Sequence, residues 1–497
     1  MISSIRFKSR QIVKAGNLQK MVLPILTVVS FGTAFLRDVL FAKQLGAGLE
    51  SDAVWLALMI PAIFEQVFGG PLRDALIARL STRPLLGNQI HIVVLVPTLI
   101  VSVAVLLPLW MLQDTVGNAL TPGWSLEARL LGIHIIAIGL LMIPGHTIYY
   151  SQWAISASIG RFSLAHSRSI WLNLAAIAAC LIYPQDPFAI IWGMVGGTIL
   201  HAIAMEILLL RNRPKALDKK NVIPPSKSST GLRHLITFAI CAIAPQICVL
   251  LERSLASQIS QGSITHLSIA FRLSTIMMSI TVASFIVPIY ANLERMSGAD
   301  KRDFWRVIAG HLSWISLLIL PSCSIFLALS EEITRFLFLR GEFEEADVLA
   351  TAAALKSYIF GVPFMCLILI FTRALLALRA ALYPVVAAGM MLLSYLVLVY
   401  GVELNDSVEL LAAAFSFAQF ICASVLFGFL LFQLEWRTVM ENMNYKFIIS
   451  LVFASIAIYY FLYFWPFRSY IGLAFGGGIT TLFFAAIAFR WRKSRRT

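Results

Sequence analysis

The sequence predicts an all-α, polytopic membrane protein of about fourteen transmembrane helices in two blocks. Three observations carry this. Of 497 residues, 59% are hydrophobic and 13% charged, against ~25% charged in soluble domains, and the mean hydropathy is +0.84. Apolar runs on the order of 20 residues recur along the chain, each long enough to cross a bilayer. Basic residues gather on alternate connections between those runs, as cytoplasmic loops do.

The first run, Met21–Ala42, exceeds a signal-peptide core, and no small-residue cleavage site leads into a polar mature domain, so a cleaved leader is not expected. Ala53–Leu80, Ile90–Leu112, Ala128–Trp153, Ser163–Ile182 and Phe188–Leu210 complete the first block. A basic stretch with Pro214, Pro224, Pro225 and a serine-rich run follows, a hinge by composition. The second block reads as Leu232–Ile259, Ile264–Ala291, Trp305–Leu329, Val348–Leu378, Tyr383–Val402 and Val408–Phe432. Phe447–Trp465 and Tyr470–Trp491 add a last pair. The expected divisions are therefore a basic N-terminus at 1–20, a first lobe at 21–210, a linker at 211–233, a second lobe at 234–433, the pair at 447–491 and a basic tail at 492–497. Repeated blocks of this kind are common in transporters.

The net charge of +14 does not indicate nucleic acid. Arg6, Lys8, Arg10, Lys14 and Lys20 at the start, Arg211 to Lys227 in the hinge and Arg490 to Arg496 at the end fall on one side if an even number of spans separates them. Connections on the other side hold Asp114, Asp186, Glu342, Glu344, Glu345 and Asp347, or Glu403, Asp406 and Glu409. Both termini are expected in the cytoplasm, with the basic tail available to anionic lipid. Six cysteines without C-x-x-C pairing read as packing residues, and His134, His146 and His201 lack a second ligand at helical spacing, so neither a metal nor a cofactor is expected.

Prolines 61, 144, 245, 288, 321, 363 and 384 fall inside runs, where each frees a backbone carbonyl and permits a bend. Charges within the runs are the candidates for function, because a charged side chain at the bilayer centre costs roughly 2.5–3.5 kcal/mol on insertion scales. Arg37 and Asp38 are adjacent near the end of the first run, and Glu252 and Arg253 repeat that arrangement in the second block. Asp52, Glu65, Arg73, Asp74, Arg272 and Arg373 complete the set. Arg272 has no acid at helical spacing within its run. A ligand phosphate would satisfy its planar guanidinium; an acid on another helix, with Glu252, Glu65 or Asp38 available, would do so too.

The stretch SFGTAFLRDVLFAKQLGAGLESDAVWLALMIPAIFEQVFGGPLRDAL, Ser30 to Leu76, resembles the start of the MurJ/MviN family of lipid II flippases, in the superfamily of multidrug and oligosaccharidyl-lipid exporters. Arg37-Asp38, Gly46-Ala47-Gly48, Ser51-Asp52-Ala53, Ile60-Pro61 and Phe68-Gly69 carry the likeness. Further on, Leu120-Thr121-Pro122-Gly123-Trp124, Gly160-Arg161-Phe162-Ser163, Leu172-Asn173, the segment Glu252 to Leu273 and Phe338 to Phe343 are similar to family elements in constant order.

The resemblance implies a MATE-like bundle of two lobes around a central cavity that opens alternately to either membrane face. It also implies transport of an undecaprenyl-pyrophosphate-linked saccharide to the periplasmic leaflet of a bacterial inner membrane. The last two spans would then form a groove for the lipid tail. The implied pyrophosphate site comprises Arg37 and Arg272, with Asp38 orienting Arg37 and Glu65, Glu252 and Arg253 nearby; Asp52, Ser51, Gly46 and Gly48 belong to an outer gate. Two cations that the family pattern leads one to expect are replaced, by Phe31 and by Glu65, and Glu65 is expected to pair with a cavity arginine. The departures favour another lipid-linked oligosaccharide, such as an exopolysaccharide or O-antigen repeat unit, over lipid II. Expected partners are that substrate and membrane lipids, with polysaccharide or cell-wall synthesis enzymes as candidates; the protein is expected to be monomeric and not an enzyme. The alternatives are a MATE-type exporter of drugs or cations, which Arg37 and Arg272 would disfavour by repulsion, and a membrane glycosyltransferase or polymerase. The latter would need paired carboxylates or a large extramembrane loop.

Overall fold

The computed structural model describes residues 25–70, 72–73, 76–77, 80, 94–158, 167–211, 232–276, 278, 293, 296, 300–441 and 445–464. The expected basic N-terminus, most of the linker, the last span and the basic tail lie outside the described residues. Those that are described form helices and short turns, and eight helices are long and apolar enough to cross a membrane.

Two units divide the chain. The first comprises Met1–Ala242 together with Arg340–Phe343, the second Ile243–Leu339 together with Glu344–Thr497. The division falls inside one helix, Leu232–Ala256, instead of in the basic linker.

In the first unit α1 (Ile25–Leu45) and α2 (Leu49–Phe64) meet at a tight turn. Gly46 adopts φ +58° there, the left-handed region that costs a side chain steric strain. Helices α3 (Val96–Met111) and α4 (Gln113–Leu120) are bent by 66° after Pro108. Then come α5 (Leu126–Leu140), opened by a Ser125 cap on the Ala128 amide, α6 (Met142–Ser158), α7 (Arg168–Ile182) and α8 (Pro187–Arg211). Asp186 caps α8 by accepting from the Phe188 and Ala189 amides.

Pro61 cannot donate to the Ala57 carbonyl, and α5 packs at that point: a Cβ on Gly139 would stand 2.6 Å from the Ala57 oxygen. Helix α2 then widens into one π-turn, Glu65–Gly69. Such turns frequently occur at functional sites.

The second unit contains the end of α9 (Leu232–Ala256), α10 (263–276), α11 (Lys301–Ala328), α12 (Ser330–Phe338), α13 (Glu345–Ala377), α14 (Leu382–Leu396), α15 (Val408–Leu434), α16 (Trp436–Glu441) and α17 (Tyr445–Tyr463). A capping box of Glu344 and Asp347 starts α13, and Ser407 caps α15. Helices α13 and α15 pack along their lengths over buried Tyr358, Phe415 and Cys422. Leu317, Leu451, Ile458 and Leu462 join α11 to α17. Pro245, Pro321 and Pro363 lie inside helices, as expected. Large apolar side chains such as Ile100, Met111, Trp192 and Leu200 are exposed, which suits lipid and not water.

Candidate functional site

The densest polar cluster described in the first unit centres on Glu65. Its place on the π-turn of α2 brings the carboxylate to α6 and α7, where Arg168 donates from both Nη1 and Nη2, each at 2.8 Å, to Oε1 and Oε2. Tyr150 Oη donates to Oε1 at 2.8 Å, and His146 Nδ1 stands 3.4 Å from Oε2. The two forks match in parallel, the strongest form of ion pair between side chains. Arg168 is 9% exposed and Glu65 27%, so the acid presents the open side of the pair.

Arg168 begins α7, whose N-terminal end adds positive potential. Its guanidinium lies 4.6 Å from the centre of the Tyr149 ring, which itself stacks on Trp153 at 6.0 Å. Arg73 sits 4.2 Å over the Trp153 ring. On the other side of α6, Gln152 donates to the Ala202 carbonyl at 2.8 Å and to Glu206 at 3.2 Å, tying α6 to α8. Two cations, three aromatic rings, a histidine and one central acid thus share a small volume, an arrangement that can hold an oligoanion and stack a sugar face.

The arginine expected opposite Glu65 is Arg168. Sequence reasoning passed over it although it lies inside the expected run Ser163–Ile182, a charge in a span being the very signal used elsewhere. Tyr150 carries no such signal, since one tyrosine in an apolar run is ordinary.

Arg37 is buried, donating to Asp38 Oδ1 from Nε at 3.0 Å and Nη2 at 2.6 Å, and from Nη1 to Asn173 Oδ1 at 2.9 Å. Asn173, in turn, donates to Thr33 Oγ1 at 3.3 Å. Asp38 thus pairs with Arg37 despite sitting one residue along, and Asn173 of the Leu-Asn element adds a second acceptor.

Ser51 and Asp52 are buried in the first turn of α2, where an acid complements the helix dipole. Gly46 faces the turn at Gly341 and Glu342: the Glu342 amide donates to the Lys43 carbonyl at 3.0 Å. Gly341 has φ +65°, and a Cβ on either glycine would strike a carbonyl of the other turn. Gly48 caps α2 with extended backbone.

In the second unit, Glu252 and Arg253 form a fully interior pair at 2.8 Å, and Arg253 also donates to Tyr358 Oη at 3.3 Å. Phe271 and Phe415 pack edge-on against Tyr358. The pair is thus buried within the unit beside this aromatic packing. Arg272 is half-buried on α10. It and Arg37 belong to different units. Among the described residues no group of histidine, cysteine, aspartate or glutamate is placed to hold a metal.

A family model described as lipid II flippase MurJ matches residues 41–475, a stretch that begins after Arg37 and Asp38. A probable lipid II flippase MurJ from Aquifex aeolicus is 23% identical over 344 residues, 67% of this chain and 66% of that protein, so the match spans just under two thirds of that relative. One from Thermotoga maritima is 26% identical over 356 residues, 69% of this chain and 70% of the relative. The solved structure of a lipid II flippase MurJ in an inward closed conformation is similar at a TM-score of 0.76, with 21% identity, covering 95% of this chain and 99% of that one. A multidrug resistance MATE family transporter of the MOP superfamily, inward-facing, gives 0.66 at 12% identity over 82% and 94% of the two chains. The fold is that of the MOP superfamily.

Proposed function

Because the chain belongs to the MurJ family of lipid II flippases, we propose that it is a transporter and not an enzyme, moving an undecaprenyl-pyrophosphate-linked saccharide across a bacterial inner membrane by alternating access. The observation that carries the proposal is the family match over residues 41–475. The buried cations are consistent with it: a pyrophosphate and its sugars need a polar, cationic path, whereas a polyprenyl tail can remain in lipid. An exporter of cationic drugs shares the fold, but Arg37 and Arg272 would repel its cargo.

Within this proposal Arg272 and Arg37 contact the pyrophosphate. Arg37 already donates to Asp38 and Asn173, so a ligand phosphate competes with these two acceptors for its N–H groups. Asp52, Ser51, Gly46 and Gly48 belong to the gate, and Glu252 with Arg253 supports the second unit from within. Phe31 and Glu65, standing where cations are expected, favour a repeat unit other than lipid II.

The test has two arms. In cells depleted of their own lipid II flippase, this protein should fail to restore growth, and rescue would assign lipid II. In proteoliposomes it should translocate a lipid-linked repeat unit, with Arg272→Ala abolishing transport at unchanged protein level. Absence of translocation with every undecaprenyl-pyrophosphate saccharide tried would overturn the flippase proposal.

A further inference from the structure

We propose that Glu65 is a displaceable internal anion: in the resting protein its carboxylate occupies an anion cradle built by Arg168, Tyr150 and His146, and a diphosphate ligand takes its place. The inference rests on the flippase proposal for its ligand but not for its geometry.

The cradle is built from donors on two helices. Arg168 offers two parallel N–H groups at 2.8 Å and Tyr150 an O–H at 2.8 Å, all converging on one carboxylate, while the buried His146 Nδ1 stands 3.4 Å from it without a hydrogen bond. A guanidinium fork accepts a phosphate in the same bidentate geometry as a carboxylate. The donors are fixed: Arg168 is more than nine-tenths buried and braced against Tyr149, and Tyr150 is buried on α6. Glu65 is the less buried partner, and it sits on the π-turn that follows Pro61, where the regular ladder of α2 is already interrupted.

When the acid withdraws, a cationic fork, a hydroxyl and an imidazole remain, with Tyr149 and Trp153 alongside and Arg73 over Trp153. A diphosphate bearing a sugar meets each of these: its charge the guanidinium, its sugar face the rings. A phospholipid headgroup offers one phosphate and no such sugar.

The experiment measures binding of inorganic pyrophosphate, of undecaprenyl pyrophosphate and of phosphatidylglycerol vesicles to the purified full-length protein. Wild type, Glu65→Gln, Glu65→Asp and the neutral double variant Glu65→Gln/Arg168→Gln are compared. If the latch leaves the cradle open in about a tenth of molecules, removing it tightens binding about tenfold. Glu65→Gln should therefore bind pyrophosphate about tenfold tighter. Glu65→Asp, too short for both forks, should move the same way and serves if the amide variant fails to fold. The double variant should lose the gain.

Tighter binding of undecaprenyl pyrophosphate with no change for phosphatidylglycerol assigns the cradle to the diphosphate. Equal or weaker pyrophosphate binding by both folded Glu65 variants overturns the inference, as does a gain that survives in the double variant or is confined to phosphatidylglycerol. Failure of the flippase proposal reads differently, as absent translocation by wild type whatever Glu65 does.

Discussion

Replacing Gly341 by alanine should loosen the turn that the Arg340–Phe343 segment makes against the turn after α1. Gly341 has φ +65°, and an alanine held there costs about 1–2 kcal/mol of strain. The new Cβ would also strike the Lys43 carbonyl, which accepts the Glu342 amide at 3.0 Å. Losing that hydrogen bond costs about 0.5–1.5 kcal/mol more. A combined loss of about 2 kcal/mol lowers the free energy of local opening, and at 1.4 kcal/mol per factor of ten this is about a thirtyfold acceleration. Hydrogen exchange at the Glu342 amide, measured on the protein in nanodiscs, reads that factor. Gly389→Ala is the control, since a Cβ there meets nothing within 4 Å and a mid-helix alanine gains about 0.5–1 kcal/mol. Unchanged exchange in Gly341→Ala, or equal acceleration in the control, would refute the reasoning.

Three further substitutions test the packing described above. Glu252→Gln leaves the Arg253 charge inside the second unit and should cost about 3–5 kcal/mol in thermal unfolding, while Glu252→Met/Arg253→Met recovers most of it. Asn173→Leu removes the acceptor of Arg37 Nη1 and should lower stability by about 1–3 kcal/mol in the same melt, and an unchanged melting temperature would mean that the bond contributes nothing. Lys301→Ala removes an exposed pair with Glu435 and should shift stability by less than about 1 kcal/mol, so a larger drop in melting temperature would mean the pair is not the solvated contact described.

Membrane class and helical architecture were legible because both rest on hydropathy and run length, which are local. The turn glycines were equally visible: Gly46 sits between two apolar runs, and its left-handed φ is what a glycine in a tight turn supplies. Glu65 was recognisable as an acid out of place, but its partner lies on α7, far along the chain, and only the packing of α2, α6 and α7 identifies Arg168, Tyr150 and His146 around it. Glu252 and Arg253 show the converse. A charged pair in an apolar run announces a cost, but whether a ligand or an aromatic cage meets that cost depends on where Tyr358, Phe271 and Phe415 are brought by other helices. Arg37 belongs to both cases, with Asp38 visible beside it and Asn173 supplied by the fold.

The membership of Arg340–Phe343 in the first unit bears on the order of biosynthesis. Helices α1 to α8 leave the ribosome first and can insert in sequence, yet the backbone donor to Lys43 arrives only after α9 to α12 have been made. Until then the turn after α1 lacks the strand of chain that covers it. A protein halted at the end of its first block of helices would thus carry every span of that block and still be unfinished. Its last tie is a non-local contact that slows completion, and a nascent chain at that stage exposes the Gly46 turn to membrane chaperones and proteases.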